Sequence, residues 1–464
     1  MSESDSQKLT VARLDLETVV KGSLSSQEEA ARIWLSKIRQ ACVQKKYNTL
    51  RALLVGAAQE SHLPRELFVR AIEHHECEVL QILMTKVQGV LPPDRAGRSL
   101  LHEACRLNSL DCARLLLEFG YCPNQESLSK ITPLHLAAAH GSGELVELLL
   151  HSRANYHRRT MSGWTPLMYA AFYSRAETLQ VLLEAGSDLE ERQHEGWTAL
   201  LLAASKGSAA CVRILLAFGA RVDATQHDGW TALHLACSAS FDEIVNLLLS
   251  DVRVSIDQGT LTQQVTGLHI AAAAGQAGLT RMLVNAGADI DARDRDGWNA
   301  LHHAACHGDL ETLVYLIGAG ADIDALALDG SSPLHVALVH KHHDCADYLI
   351  TAGASVHTAK LGGWTPLLYA TVNEDRALVA RMLDAGVYLD VVVDEGYSPL
   401  HFAASLGNLT LLKLLIDAGA DVNAQASGSI GTPLHEAIKK GEREVVDCLI
   451  EAGAYLEARA GLNS

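Results

Sequence analysis

Within six positions the chain carries His340, His342, His343 and Cys345, its densest local set of potential metal ligands. Imidazole nitrogen and thiolate sulfur suit tetrahedral zinc, so a metal-dependent role at 340–345 is one reading. The other is an exposed turn between two helices, which the surrounding register favours. Eight further histidines (His102, His135, His234, His269, His302, His335, His401 and His435) each directly follow a leucine in a recurring motif. One histidine at the same place in unit after unit points to a repeated structural bond, with each ring bridging backbone groups of adjacent turns. No HExxH, GxxxxGK[ST] or GxSxG pattern occurs. Gly318-Ala319-Gly320-Ala321 has the composition of a phosphate loop, but it closes a helix instead of opening one after a strand. Neither catalytic residues nor a cofactor nor a resident metal is therefore expected.

The informative chemistry is aromatic. Of six tryptophans, Trp164, Trp197, Trp230, Trp298 and Trp364 directly follow a glycine, and Tyr397 takes that place once more. Phe172 and Tyr173 lie just downstream of Trp164. Tryptophan and tyrosine dominate protein-binding hot spots. These eight residues are the candidate partner-binding set, with the cluster from 164 to 230 favoured because aromatic density there is local. The competing reading is that each tryptophan packs along its own turn and stiffens it.

Positioning these residues is the work of an internal repeat, clearest in Asp228-Gly229-Trp230-Thr231-Ala232-Leu233-His234. Its leucine recurs at Leu101, Leu134, Leu167, Leu200, Leu233, Leu268, Leu301, Leu334, Leu367, Leu400 and Leu434, in steps of 33 broken only by one 35 and a final 34. The clearest units begin with an acidic-Gly turn, as at Asp228-Gly229 and Asp296-Gly297. Thr or Ser then caps a helix, and Pro, where present, occupies the first helical position, where its missing N–H costs nothing. Paired alanines give this first helix a thin face that admits close neighbours. A second helix rich in Leu, Val and Ile follows, closed by Gly186, Gly219, Gly287, Gly320, Gly353, Gly386, Gly419 or Gly453 at the left-handed position after the helix. One such helix pair cannot bury its own apolar face, so the units must stack.

These units resemble ankyrin repeats, strongly over residues 96–460 and weakly over 26–95. The resemblance implies an all-α repeat solenoid, each repeat a β-turn or hairpin finger plus two antiparallel helices, in a curved stack of 11 clear repeats preceded by about 2 degenerate ones. Residues 1–24 read as a flexible tail, 25–95 as a degenerate helical, ankyrin-like cap, 96–460 as the array and 461–464 as the C-terminal end, with the array ending where the chain ends. The unit holding Leu233 ends in Ser250-Asp251-Val252-Arg253-Val254 and the next begins two residues late, so a change of curvature is expected near 250–266. In such arrays the finger position and the end of the first helix contact partners, and Trp164, Trp197 and Trp230 would line the finger edge of the concave face. Leu415 followed by Asp421-Val422-Asn423-Ala424 resembles the pattern that a cytosolic asparaginyl hydroxylase modifies, which makes Asn423 the candidate acceptor; a hairpin asparagine bonding its own turn is the structural alternative.

The composition fits this reading. The chain is 48% hydrophobic and 20% charged, with only 10 prolines among 464 residues, and no low-complexity linker divides it. Its net charge of −17 opposes sequence-independent nucleic-acid binding, which needs Lys and Arg against phosphates. Residues 1–95 hold 13 Lys/Arg against 12 Asp/Glu, so the other 25 against 43 put −18 on the array. That field favours a partner with a basic patch. Ten cysteines without a C-x-x-C spacing read as free, mostly buried thiols in a reducing compartment. With no signal peptide or membrane span in the sequence, the expectation is a monomeric, non-enzymatic interaction scaffold in the cytoplasm or nucleus. Narrower roles within that class are substrate adaptor of a ubiquitin-ligase complex, scaffold for a membrane or cytoskeletal partner, and transcriptional regulator.

Overall fold

The computed structural model describes residues 36–37, 63, 65–87, 89–426 and 431–457. The tail at 1–24, most of the first degenerate repeat and the end at 461–464 lie outside them. The described helices form twelve consecutive antiparallel pairs, and among the described residues there is no strand beyond one isolated antiparallel bridge between Ala426 and Gly431. The chain divides into two compact units, residues 1–221 and 222–464.

The first unit holds α1 (Arg65–Glu73), α2 (Cys77–Val87), α3 (Leu100–Arg106), α4 (Leu110–Glu118), α5 (Pro133–His140), α6 (Gly143–His151), α7 (Pro166–Phe172), α8 (Ala176–Glu184), α9 (Ala199–Ser205) and α10 (Ala209–Ala217). Odd-numbered inner helices pack on one another and even-numbered outer helices do likewise. The second unit continues the grammar with α11 (Ala232–Ser238), α12 (Asp242–Leu249), α13 (Gly267–Ala273), α14 (Ala277–Asn285), α15 (Ala300–His307), α16 (Leu310–Gly318), α17 (Pro333–Val339), α18 (His343–Thr351), α19 (Pro366–Val372), α20 (Arg376–Asp384), α21 (Pro399–Leu406), α22 (Leu409–Asp417), α23 (Pro433–Lys440) and α24 (Arg443–Glu451). α1 and α2 are a helix pair without the turn motif, in the place of the second degenerate unit.

Inner helices meet closely because their facing side chains are small. Ala137, Ala138, Ala170, Ala171, Ala203 and Ala204 are fully buried beside Leu134 and Leu201. The outer helices supply bulk through residues such as Leu145, Leu149, Leu179 and Leu182. Helix entry follows the anticipated capping: the Thr231 hydroxyl accepts the His234 N–H at 3.4 Å, and Pro133, Pro166, Pro333, Pro366, Pro399 and Pro433 sit at the first turn. Arg153, where glycine is usual, takes the same left-handed backbone (φ 65°), and its N–H still closes on Leu150 O at 2.9 Å. The helix therefore ends as in the other units, with the strain of a β-carbon added.

Successive fingers are stitched by backbone bonds. The tip N–H of one finger donates to a carbonyl of the finger before it: Leu128 to Ala96, Met161 to Ser129, Leu261 to Asp228, Leu328 to Asp296 and Leu361 to Asp329, at 2.9–3.2 Å. Gly229 shows how tight this is. Its φ is +83°, and a β-carbon there would stand 2.4 Å from the Leu261 nitrogen. The two-residue insertion before Leu268 is taken up as a turn from Thr260 to Val265, with Gln264 N–H on Thr260 O and Thr260 N–H on Val265 O. α11 packs on α13 and α12 on α14 across this stretch.

Candidate functional site

The repeated histidines do what their recurrence implies. At His102, His135, His234, His269, His335 and His401 the Nδ1 atom accepts the backbone N–H of the capping Ser or Thr, at 3.0–3.2 Å. The proton must then sit on Nε2, which donates to a carbonyl of the next unit's loop: Ile131, Trp164, Val265, Ala292, Trp364 and Gly431 respectively, at 2.9–3.2 Å. His302 reaches Ser331 O in the same way at 3.1 Å. Burial favours the neutral ring, and it pushes His135, His269, His302 and His335 down to about 4, and lowers His102, His234 and His401. These side chains are committed to stacking.

At His302 the cap is Asn299, whose amide oxygen lies 2.7 Å from Nδ1 and also accepts the His302 N–H, while its amide nitrogen donates to Asp291. An amide oxygen cannot donate, so either neutral tautomer faces one oxygen without a proton between. This junction is the least satisfied of the column.

The carbonyls that receive these bonds fix the fingers, but the side chains on them vary. Within the matching register the acceptor is Ile131, Trp164, Val265, Ser331, Trp364 or Gly431. Stacking thus requires the peptide oxygen and is indifferent to the side chain. The histidine bond by itself does not call for an indole there.

In the first unit Trp164 packs edge-on against Tyr169 and Phe172 of α7, with centroids 5.5 and 5.2 Å away. Tyr169, Phe172 and Tyr173 share a helical face at i, i+3 and i+4. Tyr173 meets Phe172 at 5.2 Å and His140 at 5.6 Å, and the Lys206 ammonium stands 4.2 Å over the Phe172 ring. Trp164, Tyr169 and Phe172 are half-buried and Tyr173 is exposed. Sequence spacing anticipated Trp164, Phe172 and Tyr173 as neighbours. Tyr169 and Lys206 join them through helix geometry and stacking. Trp197, half-buried on the next finger, completes the candidates of this unit.

The second unit has its own group. Trp364 lies 4.8 Å from Tyr369 and 5.6 Å from Phe402, and Tyr397 stacks on Phe402 at 5.2 Å. Lys360 lies 5.5 Å from the Tyr369 ring and 3.6 Å from Asp329. Trp298 packs on His302 and His303, and His303 Nε2 pairs with Asp294 at 3.0 Å. Trp230 is half-buried, 6.0 Å from the His234 ring. The ring contacts of Trp164, Trp230, Trp298 and Trp364 are thus with their own or the adjoining repeat's inner helix.

A set missed at the sequence level is apolar and sits at the finger tips. Leu128, Met161, Leu261, Leu328 and Leu361 are 72, 64, 73, 77 and 73% exposed on the hydrogen-bonded tip backbone. Other tips carry His194 or Asp394 with equivalent backbone bonds to Ser162 and Gly362, so again the fold does not select the side chain. A leucine in an alternating apolar pattern reads as core, and nothing local in the sequence marks these as outward.

The four residues of the 340–345 set do not meet at one point, although His340 and His342 both turn to Cys306 with their rings 6.2 Å apart. His340 Nε2 lies 3.4 Å from Cys306 Sγ, His342 donates to Cys306 O at 2.9 Å, His343 pairs with Asp375, and Cys345 is buried. Among the described residues no group of three or more His, Cys, Asp or Glu side chains is arranged to hold a metal ion. Asn423 bridges two repeats: its Nδ2 donates to Gly453 O at 3.2 Å and its Oδ1 accepts Tyr455 N–H at 2.8 Å. Asn124 does the same with Arg153 O and Asn155 N–H, at 2.8 and 2.7 Å. Leu116 stands eight residues ahead of Asn124, as Leu415 does ahead of Asn423.

Charge separates by unit. Residues 1–221 hold 25 Lys/Arg against 24 Asp/Glu, and residues 222–464 hold 13 against 31. The negative charge assigned to the whole array therefore belongs to the second unit. No described helix is long and apolar enough to cross a membrane.

Comparison with known proteins agrees with this geometry. The profile for ankyrin repeats (3 copies) matches five successive stretches spanning 120–460, and that for a single ankyrin repeat matches 96–127. Local similarity extends to ankyrin repeat and SOCS box protein 16 of Homo sapiens (45% identity over 58 residues, 12% of this chain and 13% of the relative). It extends also to the E3 ubiquitin-protein ligase KEG of Arabidopsis thaliana (34% over 76 residues, 16% and 5%) and to inversin of Gallus gallus (30% over 96 residues, 21% and 9%). The matches thus span less than a seventh of the length of these relatives. The solved human ASB11 ankyrin repeat domain aligns over 48% of this chain and 99% of its own length, at 26% identity and a TM-score of 0.42. With profile matches covering well over half of its length, the chain belongs to the ankyrin-repeat family.

Proposed function

We propose that the protein is a non-enzymatic, monomeric scaffold that binds partner proteins through the fingers and inner-helix ends of its repeats. The observation that carries this reading is the side-chain indifference of the finger carbonyl. Where stacking would accept Ile, Val, Ser or Gly, this chain places Trp164 and Trp364 and surrounds each with further rings. Half-buried aromatics on a pre-ordered backbone spare the ordering cost of binding and are the side chains that form hot spots. Trp164, Phe172, Tyr173 and Trp197 serve in the first unit, and Trp230, Trp298, Trp364 and Tyr397 in the second, with the apolar finger tips extending both surfaces. The acidic second unit favours a partner with a basic patch. In the first unit the Lys206 ammonium stands over the Phe172 ring, which suits an apolar segment with an acidic flank.

The test is affinity capture from lysate with wild type and with Trp164→Ala/Trp197→Ala/Trp230→Ala, read by mass spectrometry after circular dichroism has shown the variant folded. Loss of specific partners supports the reading; full retention of every partner overturns it. A narrower role, substrate adaptor of a ubiquitin-ligase complex in the cytoplasm or nucleus, draws support from the names of two relatives, a SOCS box protein and a ubiquitin-protein ligase. Ligase subunits in the same capture would bear it out, and their absence from repeated captures would count against it. Asn423 is the proposed hydroxylation acceptor, tested by a 16 Da gain on its peptide.

A further inference from the structure

We propose that Cys77 and Cys112 are an oxidisable dithiol site whose closure to a disulfide ties the helix pair α1–α2 to the repeat that follows. Cys77 opens α2 and Cys112 lies in the first turn of α4, and these outer helices pack on each other. The two sulfurs lie 3.3 Å apart. A disulfide needs about 2.05 Å, so a shift of roughly 0.6 Å by each sulfur suffices, within the reach of small χ1 changes. Access is asymmetric: Cys112 is fully buried whereas Cys77 is half-exposed. A reagent can therefore engage Cys77 first, with Cys112 placed behind it to resolve the adduct. Among the described residues no other pair of cysteines brings its sulfurs together; Cys306, for instance, has His340 as its neighbour.

With glutathione disulfide as oxidant the chemistry closes in two exchanges. The deprotonated Cys77 sulfur attacks one sulfur of the oxidant, and one glutathione leaves as thiolate and takes up the proton. The deprotonated Cys112 sulfur then attacks Cys77 Sγ in the mixed disulfide, forming the Cys77–Cys112 bond and releasing the second glutathione. The protein loses two electrons and two protons, and one glutathione disulfide becomes two glutathiones. Burial, then the Cys112 hydrogen bond and charge, then Asp111 and Glu76, push the Cys77 thiol up to about 12. Thiolate is scarce near neutrality, so the pair is slow to oxidise and its rate climbs about tenfold per pH unit. The bond would matter because it crosses the junction between a helix pair without the turn motif and the first repeat that carries it, where local opening would begin.

The experiment treats the full-length protein with glutathione disulfide at pH 8.5, blocks remaining thiols by alkylation and maps peptides by mass spectrometry, with Cys77→Ser and Cys112→Ser in parallel. The expected result is a Cys77–Cys112 linked peptide that dithiothreitol reverses and that is absent from both variants. Proteolysis within 65–95 is expected to slow about fivefold on oxidation of the wild type alone. Exposed Cys122 reports that oxidant was active. Recovery of Cys77 and Cys112 as alkylated thiols while Cys122 carries glutathione overturns the proposal, as does a Cys77–glutathione adduct that never resolves. The wild-type map decides even if a serine variant fails to fold.

Discussion

Acid should unfold this protein well before its carboxylates protonate, and should unfold the second unit first. The perturbation is a fall from pH 7.5 to 5.0. His135, His269 and His335 titrate at about 4 in the folded chain against about 6.5 when unfolded. Between those values the unfolded chain binds protons that the folded chain refuses, so stability is complete above the unfolded value and is lost as pH falls through the window. At pH 5.0 each such histidine withdraws about 1–2 kcal/mol relative to pH 7.5. His102, His234 and His401 are lowered for the same reason and add to it. Five histidines of the column with lowered values, His234, His269, His302, His335 and His401, fall in residues 222–464, against His102 and His135 before them. Two other effects separate cleanly. Asp94, Asp251, Asp294 and Asp329 are held below 3.8 and stay ionised at pH 5.0. Approaching the sequence pI of about 5.7 relieves self-repulsion, which would stabilise instead. Urea unfolding at both pH values, with hydrogen exchange to localise the loss, is the assay. Equal stability at pH 7.5 and 5.0, or loss confined to pH below 4, would refute the reasoning.

Three further outcomes follow from local geometry. Gly229→Ala forces a β-carbon against the Leu261 nitrogen at a positive φ and should cost about 1–3 kcal/mol in urea unfolding; a change under about 0.5 kcal/mol would show that this finger junction is slack. Asn299→Thr gives His302 a donor like that of its neighbours and should stabilise by about 1 kcal/mol at pH 7.5, unless the lost bond to Asp291 outweighs it, which destabilisation would reveal. Leu328→Asp/Leu361→Asp, at exposed tips, should leave the unfolding midpoint within experimental error while weakening partner capture by the second unit; an equal loss of stability would make the tips structural.

Much of the fold was legible because the repeat prints its rules at fixed register. Thr231, His234 and Gly229 cap, bridge and turn at positions that most units share, so recurrence itself exposed their roles. The packing of Trp164 with Phe172 and Tyr173 was also legible, as local aromatic density. The remainder depended on relations between units. The exposure of Leu328 reflects which way a finger tip points, and the meeting of Trp364 with Phe402 spans two repeats. Cys77 and Cys112 lie 35 residues apart, two more than the period, and no alignment by repeat register pairs them. The charge division likewise emerged only once the boundary near residue 221 was drawn.

The central claim, that the aromatic groups on the fingers and inner-helix ends bind proteins, is tested most directly by titrating a captured partner against Tyr173→Ala, Trp164→Ala, Trp364→Ala and Tyr397→Ala, each shown folded. The account predicts that Kd rises about tenfold or more for substitutions within one of the two groups. Kd values within twofold of wild type for all four would contradict it.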